Sequence, residues 1–116
     1  MRGRRHQLEL NHNAAGARAA FLRVAGVVAQ ATGIAFGDIV IPDRPGRPNR
    51  RLRSPAGFAR HLAIYLTVTG ANVRQGPLGR VSGRPRRSVL RSCHMIEDMR
   101  DDPSIDELVT RLEAML

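Results

Sequence analysis

Glycine and proline decide most of what this chain can fold into. Gly33, Pro42, Pro55, Gly70, Gly76, Pro77, Gly83, Pro85 and Pro103 cut it into short stretches, each of which must form its own element or none. Within the stretches the apolar residues recur three and four apart, the period of a helix buried along one face. Phe21, Val24, Val28 and Ala31 mark a helix over residues 14 to 32, with Gly33 placed to end it. FGDIVIP, closed by Pro42, has no second strand to pair with and reads as an extended or single-turn packing segment. From Pro55, well placed at a first helical position, GFARHLAIYLTVTG predicts a helix with Phe58, Leu62, Tyr65 and Leu66 on one face and Gly70 at its end. VRQGPLGRVSG leaves room for two turns, about residues 76 to 82, before Gly83 breaks the chain again. A helix over about residues 85 to 99 follows, beginning at Pro85, with Val89, Leu90, Cys93, Ile96 and Met99 as its buried stripe. Asp101, Asp102 and Pro103 stop it. The chain closes with a helix over about residues 104 to 115, opened by a capping box of Ser104 and Glu107 and burying Ile105, Leu108, Val109 and Leu112.

A chain of 116 residues makes one small domain. Its aromatic residues are only Phe21, Phe36, Phe58 and Tyr65, so the core must be built from Leu, Val, Ile, Met and Ala. That composition suits packed helices, and the fold class expected is all-α. Residues 1 to 13 read as a polar, mobile tail and residues 14 to 116 as the domain. The most apolar run, AAFLRVAGVVAQATGIAF, is broken by Arg23 and is not a membrane span. No continuous apolar core follows the basic start, so no secretory leader is expected and the chain reads as cytoplasmic.

Charge carries more information. The net charge is +9, and all nineteen basic residues are arginine. Residues 93 to 116 hold seven acidic residues against two arginines, a net of −5, which leaves +14 on residues 1 to 92. A basic body with an acidic end points to a polyanion on one face. Anionic membrane is disfavoured, because no basic stretch is joined to large apolar anchors. Two basic concentrations stand out. DRPGRPNRRLRSP, residues 43 to 55, combines five arginines with three prolines and reads as a basic loop, with Arg50, Arg51 and Arg53 just ahead of a helix. GRPRRSVLR, residues 83 to 91, places Arg84, Arg86, Arg87 and Arg91 on the first two turns of the penultimate helix, away from its apolar stripe.

Cations at the start of a helix oppose its dipole. They make sense where phosphates and base acceptors are their usual neighbours. A short helix, a tight glycine turn and a second helix is the layout of a helix-turn-helix, whose second helix enters the DNA major groove.

The residues also resemble a known family. GRPRRSVLRSCHMIED is similar to the signature of the C-terminal DNA-binding domain of the bacterial replication initiator DnaA, which reads approximately GRDHTTVLHACRKIE. Gly83, Arg84, Val89, Leu90, Cys93, Ile96 and Glu97 match. ARHLAIYL at 59 to 66 resembles the ARQVAMYL-like helix of that family, LGR at 78 to 80 its IGR, and VVAQATGIAFGDIV its linker helix and short apolar segment. The resemblance covers about residues 20 to 116. It implies a linker helix and basic loop ahead of a helix-turn-helix, with base readers at the positions of Pro85 to Ser88 and an arginine of the basic loop in the minor groove. This chain departs from the family where it matters most. The family's Asp-His-Thr-Thr is here Pro85, Arg86, Arg87 and Ser88, which shifts the expected base preference toward guanine. With no lysine in the chain a standard P-loop is impossible, so no nucleotide is expected.

The expectation is therefore a sequence-specific double-stranded DNA-binding protein of the nucleoid, a small transcription or replication regulator without ATPase activity. Arg84, Arg86, Arg87, Ser88 and Arg91 face the major groove, with Arg84 alternatively on a phosphate. Arg50, Arg51, Arg53, Arg60 and Arg80 serve the minor groove or the phosphates. The alternatives are a protein-interaction module on the same fold, or non-specific nucleoid packing. The acidic last helix leaves room for a homodimer or a regulatory protein partner. Cys93 on the apolar stripe reads as a core residue, and His61 and His94, 33 positions apart, suggest no metal site. No catalytic constellation and no cofactor is expected, and the chain is not expected to be an enzyme.

Overall fold

A computed structural model describes residues 13–42 and 54–116. Six helices make up the described chain, with no strand among the described residues: α1 (Ala14–Thr32), α2 (Phe36–Val40), α3 (Pro55–Thr69), α4 (Gln75–Ser82), α5 (Arg86–Met99) and α6 (Pro103–Ala114). All of the expected tail except Asn13, and all but the end of the basic loop, lie outside the described residues.

α1 begins where Asn13 Oδ1 accepts the Gly16 N–H at 2.7 Å, and ends where Gly33 turns left-handed (φ 75°) and donates to the Ala29 carbonyl. Its buried stripe is Ala17, Ala20, Phe21, Val24, Ala25 and Val28. Three alanines in that stripe let a neighbouring helix approach closely. The segment left between extended and helical is a single helical turn, α2, which buries Ile39 completely.

α3 is the centre of the molecule. All five other helices pack on it, and every residue from His61 to Thr67 is buried. The expected stripe of Phe58, Leu62, Tyr65 and Leu66 is therefore only part of what is covered, with Phe58 itself half-buried. The polar members of this run are accommodated by partners. Thr67 donates to the Ala63 carbonyl at 2.7 Å, and His61 Nδ1 lies 2.7 Å from Ser92 Oγ on α5. At its start Ser54 Oγ accepts the Gly57 N–H, with Pro55 as the first helical residue.

α5 lays Val89, Ser92, Cys93 and Ile96 against this core, while Leu90 and Met99 are only half-buried. Burial, and secondarily the neighbouring Glu97, push the Cys93 thiol up to about 11, so it is protonated near neutral pH. α6 starts one residue earlier than its sequence suggested, and the capping box of Ser104 and Glu107 is not what opens it. Asp102 is the cap: its Oδ1 accepts both the backbone N–H and the hydroxyl of Ser104, with Pro103 at the first helical position. These bonds hold the Asp102 carboxyl below the usual carboxylate range. Arg100, in the joint between α5 and α6, fastens the last helix. Its guanidinium donates to Asp106 at 2.6 Å, Glu113 at 3.0 Å and Thr110 at 3.0 Å on α6, and to the Tyr65 hydroxyl at 3.1 Å on α3. Those acceptors, Asp106 foremost, raise its already high pKa further.

Candidate functional site

The stretch from α4 to α5 is built around two glycines. Gly83 ends α4 in the left-handed region at φ 70°, and the Arg84 N–H reaches back to the Gly79 carbonyl at 2.9 Å. A Cβ on Gly79 would stand 2.7 Å from the Arg84 carbonyl oxygen, so the chain crosses the end of α4 as closely as backbone allows. Pro85 is extended (φ −60°, ψ 151°) and is the residue before α5 rather than its first helical residue. The Ser88 and Val89 N–H groups then close the first turn on the Pro85 carbonyl.

This places the arginines of the opening turns on the outside. Arg86, Arg87 and Arg91 are exposed, opposite the Val89–Cys93–Ile96 stripe, and Ser88 is half-buried. Among the described residues Arg86, Arg87 and Arg91 make no ion pair, and the first turn of α5 holds no acidic residue. Arg80 is exposed on α4. Arg84 differs. It is 4% exposed, and its Nη2 donates to the Ile41 carbonyl at 3.3 Å, so the structure takes it off the outer face and into the packing. Arg60 is half-buried with its Nε on the Asp38 carbonyl at 2.6 Å, which commits that donor to the protein. Arg50, Arg51 and Arg53 lie outside the described residues.

Arg74 joins the group without having been singled out from sequence. It is exposed at the residue before α4, and with Arg86 it flanks a groove of about 610 Å³ floored by Val68, Val73 and Pro77. An adjoining hollow of about 460 Å³ runs past Gly79, Arg80, Gly83 and Pro85. The signal for Arg74 was its position, a cation immediately ahead of a short helix, and it went unnoticed because no periodicity marks a lone residue.

The helix starts add a second asymmetry. Asn13, Ser54 and Asp102 each accept a backbone N–H at the head of α1, α3 and α6. α4 and α5 begin at Arg74 and Pro85 with no side-chain cap; the single turn α2 likewise begins uncapped at Ala35, but with Asp38 in its first turn, whereas the first turns of α4 and α5 hold no acidic residue. Free N–H groups at a helix start, with cations around them, favour an anion. The opposite end of α5 is acidic: Glu97, Asp98, Asp101 and Asp102 are exposed there. Its 14 residues span about 21 Å at about 1.5 Å per residue, so the poles are well apart.

Among the described residues no helix is long and apolar enough to cross a membrane, and no three of His, Cys, Asp and Glu gather as metal ligands. Comparison with protein-family models, with curated proteins and with solved structures finds no match.

Proposed function

We propose that this chain is a sequence-specific double-stranded DNA-binding protein, a small regulator of transcription or replication acting in the nucleoid without nucleotide or cofactor. On this reading α4, the Gly83–Pro85 turn and α5 are a helix-turn-helix like that of the DnaA C-terminal domain, with α1 as the linker helix. The observation that carries it is the set Arg86, Arg87 and Arg91, exposed and without an ion pair among the described residues, on the first two turns of a helix whose other face is fixed in the core. A solvated surface has no need to hold cations against a helix dipole.

The parts divide by chemistry. Arg86 and Arg87 are forks suited to guanine O6 and N7, with Ser88 as a smaller donor and acceptor beside them. Arg91, one turn on, and Arg80 and Arg74 on and before α4 neutralise phosphates and set the register. The uncapped N–H groups at the starts of α4 and α5 donate to backbone phosphate oxygens in the same way. Arg84 takes no part in contact, being buried. The acidic end of α5 and α6 repels the polyanion and orients the encounter so that the basic end arrives first.

The test is selection from a random double-stranded DNA pool with purified protein at near-physiological salt, followed by sequencing of the bound fraction. A sharp motif bearing guanine, beside an A·T-rich flank, is expected. A bound pool without a motif would replace this reading with non-specific nucleoid packing. No retained DNA would replace it with a protein-interaction module.

A further inference from the structure

Arg84 belongs by sequence to the arginine cluster and by structure to something else. Its Nη2 hydrogen-bonds the carbonyl of Ile41, 43 positions earlier, at 3.3 Å. Its neighbour Gly83 is pressed against the next residue of the same segment: a Cβ there would lie 2.6 Å from Pro42 Cβ. The turn before α5 and the Ile41–Pro42 segment thus meet through a guanidinium on a carbonyl and through a contact that only glycine permits.

α2, just ahead of that segment, has five residues, too few to hold itself. A helix end leaves carbonyls without intrahelical partners, and cations there also suit the dipole. Two guanidiniums supply what is missing: Arg60 of α3 donates to Asp38 O at 2.6 Å, and Arg84 to Ile41 O. Arg60 ties α2 to the central helix. Arg84 ties its exit to the turn that launches α5.

We infer that Arg84 is a positioning residue, a latch that makes the α2 exit and the first turn of α5 one rigid body. It holds the Arg86 and Arg87 backbone in place and touches no nucleic acid itself. The consequence for recognition rests on the DNA-binding reading above; the latch does not. Arginine suits the task because its planar fork can bond a carbonyl while its long stem stays packed, whereas a lysine ammonium is a more strongly hydrated point charge.

The experiment reads the latch directly. In a Cys93→Ala background, nitroxide labels are placed at Ile41→Cys and Asp98→Cys, both exposed side chains outside the proposed contact surface. Electron–electron distance distributions are compared for Arg84, Arg84→Met and Arg84→Lys. A narrow distribution with Arg84 that broadens with Met, and partly recovers with Lys, is expected. An unchanged distribution in a folded Arg84→Met variant overturns the latch. Should the Met variant lose helix by circular dichroism, Arg84→Lys carries the comparison, and an unchanged distribution there overturns it equally.

Binding to the selected DNA motif is measured in the same proteins. Loss of a hydrogen bond from a charged donor predicts a fall in the specificity ratio of about tenfold for Arg84→Met, with Arg86 and Arg87 intact. Broadened distances with an unchanged ratio overturn the positioning role. Absence of DNA binding by the unmutated chain refutes the DNA-binding reading instead, and the distances alone then decide whether the latch exists.

Discussion

Replacing Arg86 and Arg87 together by alanine should make the protein more stable while removing specific DNA binding. The two residues are the first and second helical positions of α5, exposed, with no acidic residue in that turn and no ion pair among the described residues. Each cation opposes the helix dipole by about 0.3–1 kcal/mol at low ionic strength. The two also repel each other, and alanine is a slightly better helix former than arginine. Their joint removal should therefore stabilise the fold by about 1 kcal/mol, which for a domain of this size raises Tm by about 4 °C. Molar salt, with a Debye length of about 3 Å, should erase most of that gain. Thermal melts of both proteins by circular dichroism, at low and at molar salt, measure it, and a binding assay with the selected motif reads function. A double variant that melts lower than its parent, or that loses helical signal, would refute the reasoning, because the arginines would then be holding structure rather than awaiting a ligand.

Four further outcomes follow from particular contacts. Arg100→Met removes bonds to Asp106, Glu113, Thr110 and Tyr65 at once; because the side chain is about a quarter exposed, the cost is about 1–3 kcal/mol rather than a full buried-pair value, seen as a lower urea midpoint. Pro85→Asp supplies α5 with the missing cap on an already extended residue, a gain of about 1 kcal/mol that the loss of proline's rigidity in the unfolded chain partly offsets, and it weakens DNA binding by placing a carboxylate beside the phosphates. The Asp102 carboxyl is lower in the folded state than in the unfolded, so its cap contributes above the unfolded carboxylate pKa and is lost as pH falls through the folded one; amide exchange at the start of α6 should rise there in the parent and be high already in Asp102→Ala. The Cys93 thiol runs the other way: raised from 9.0 to about 11, it favours the fold fully below pH 9.0 and loses that contribution as pH rises through about 11, so thiol reagents should label it slowly at neutral pH and only on unfolding.

Much of the fold was legible because glycine and proline wrote it into the chain. α1 matches its sequence bounds of 14 to 32, and α3 begins at Pro55, since a cap before and a breaker after need no tertiary information. α2 stayed ambiguous because five residues are too few to show a period. The burial of α3 on nearly every side was not visible either. Its polar His61 and Thr67 are accommodated only once Ser92, 31 residues away, and the Ala63 carbonyl are brought to them. The inward placement of Arg84 was hidden for a related reason. A sequence shows a cluster of charge, not which member points inward, and the carbonyl that turns this one inward is 43 positions distant. For α6 the signal was present but misread, because Asp102-Pro103 is itself a cap and first-turn pair and outranks Ser104.

The distribution of caps argues that the basic surface is more than a by-product of an arginine-rich composition. Composition would scatter its effects, yet the bare helix starts that carry cations lie together; α2 also opens on an uncapped residue, Ala35, but holds Asp38 in its first turn. α1, α3 and α6 open on Asn13, Ser54 and Asp102, while α4 and α5 open on Arg74 and Pro85, neither of which can accept an N–H through its side chain. A missing cap costs about 1 kcal/mol, and cations at the same helix starts add to it. Both penalties fall on adjacent elements, at the ends that line one pair of grooves with Arg74, Arg80 and Arg86. An anion laid across that surface would reverse both at once, meeting uncapped N–H donors and exposed guanidiniums together. Unfavourable local choices that coincide in space and share one remedy are what the proposed DNA-binding reading requires of this surface. The same logic keeps Arg84 apart from the others: its charge already has a carbonyl to answer it, and it stands in the turn where geometry, not ligand, sets the requirement.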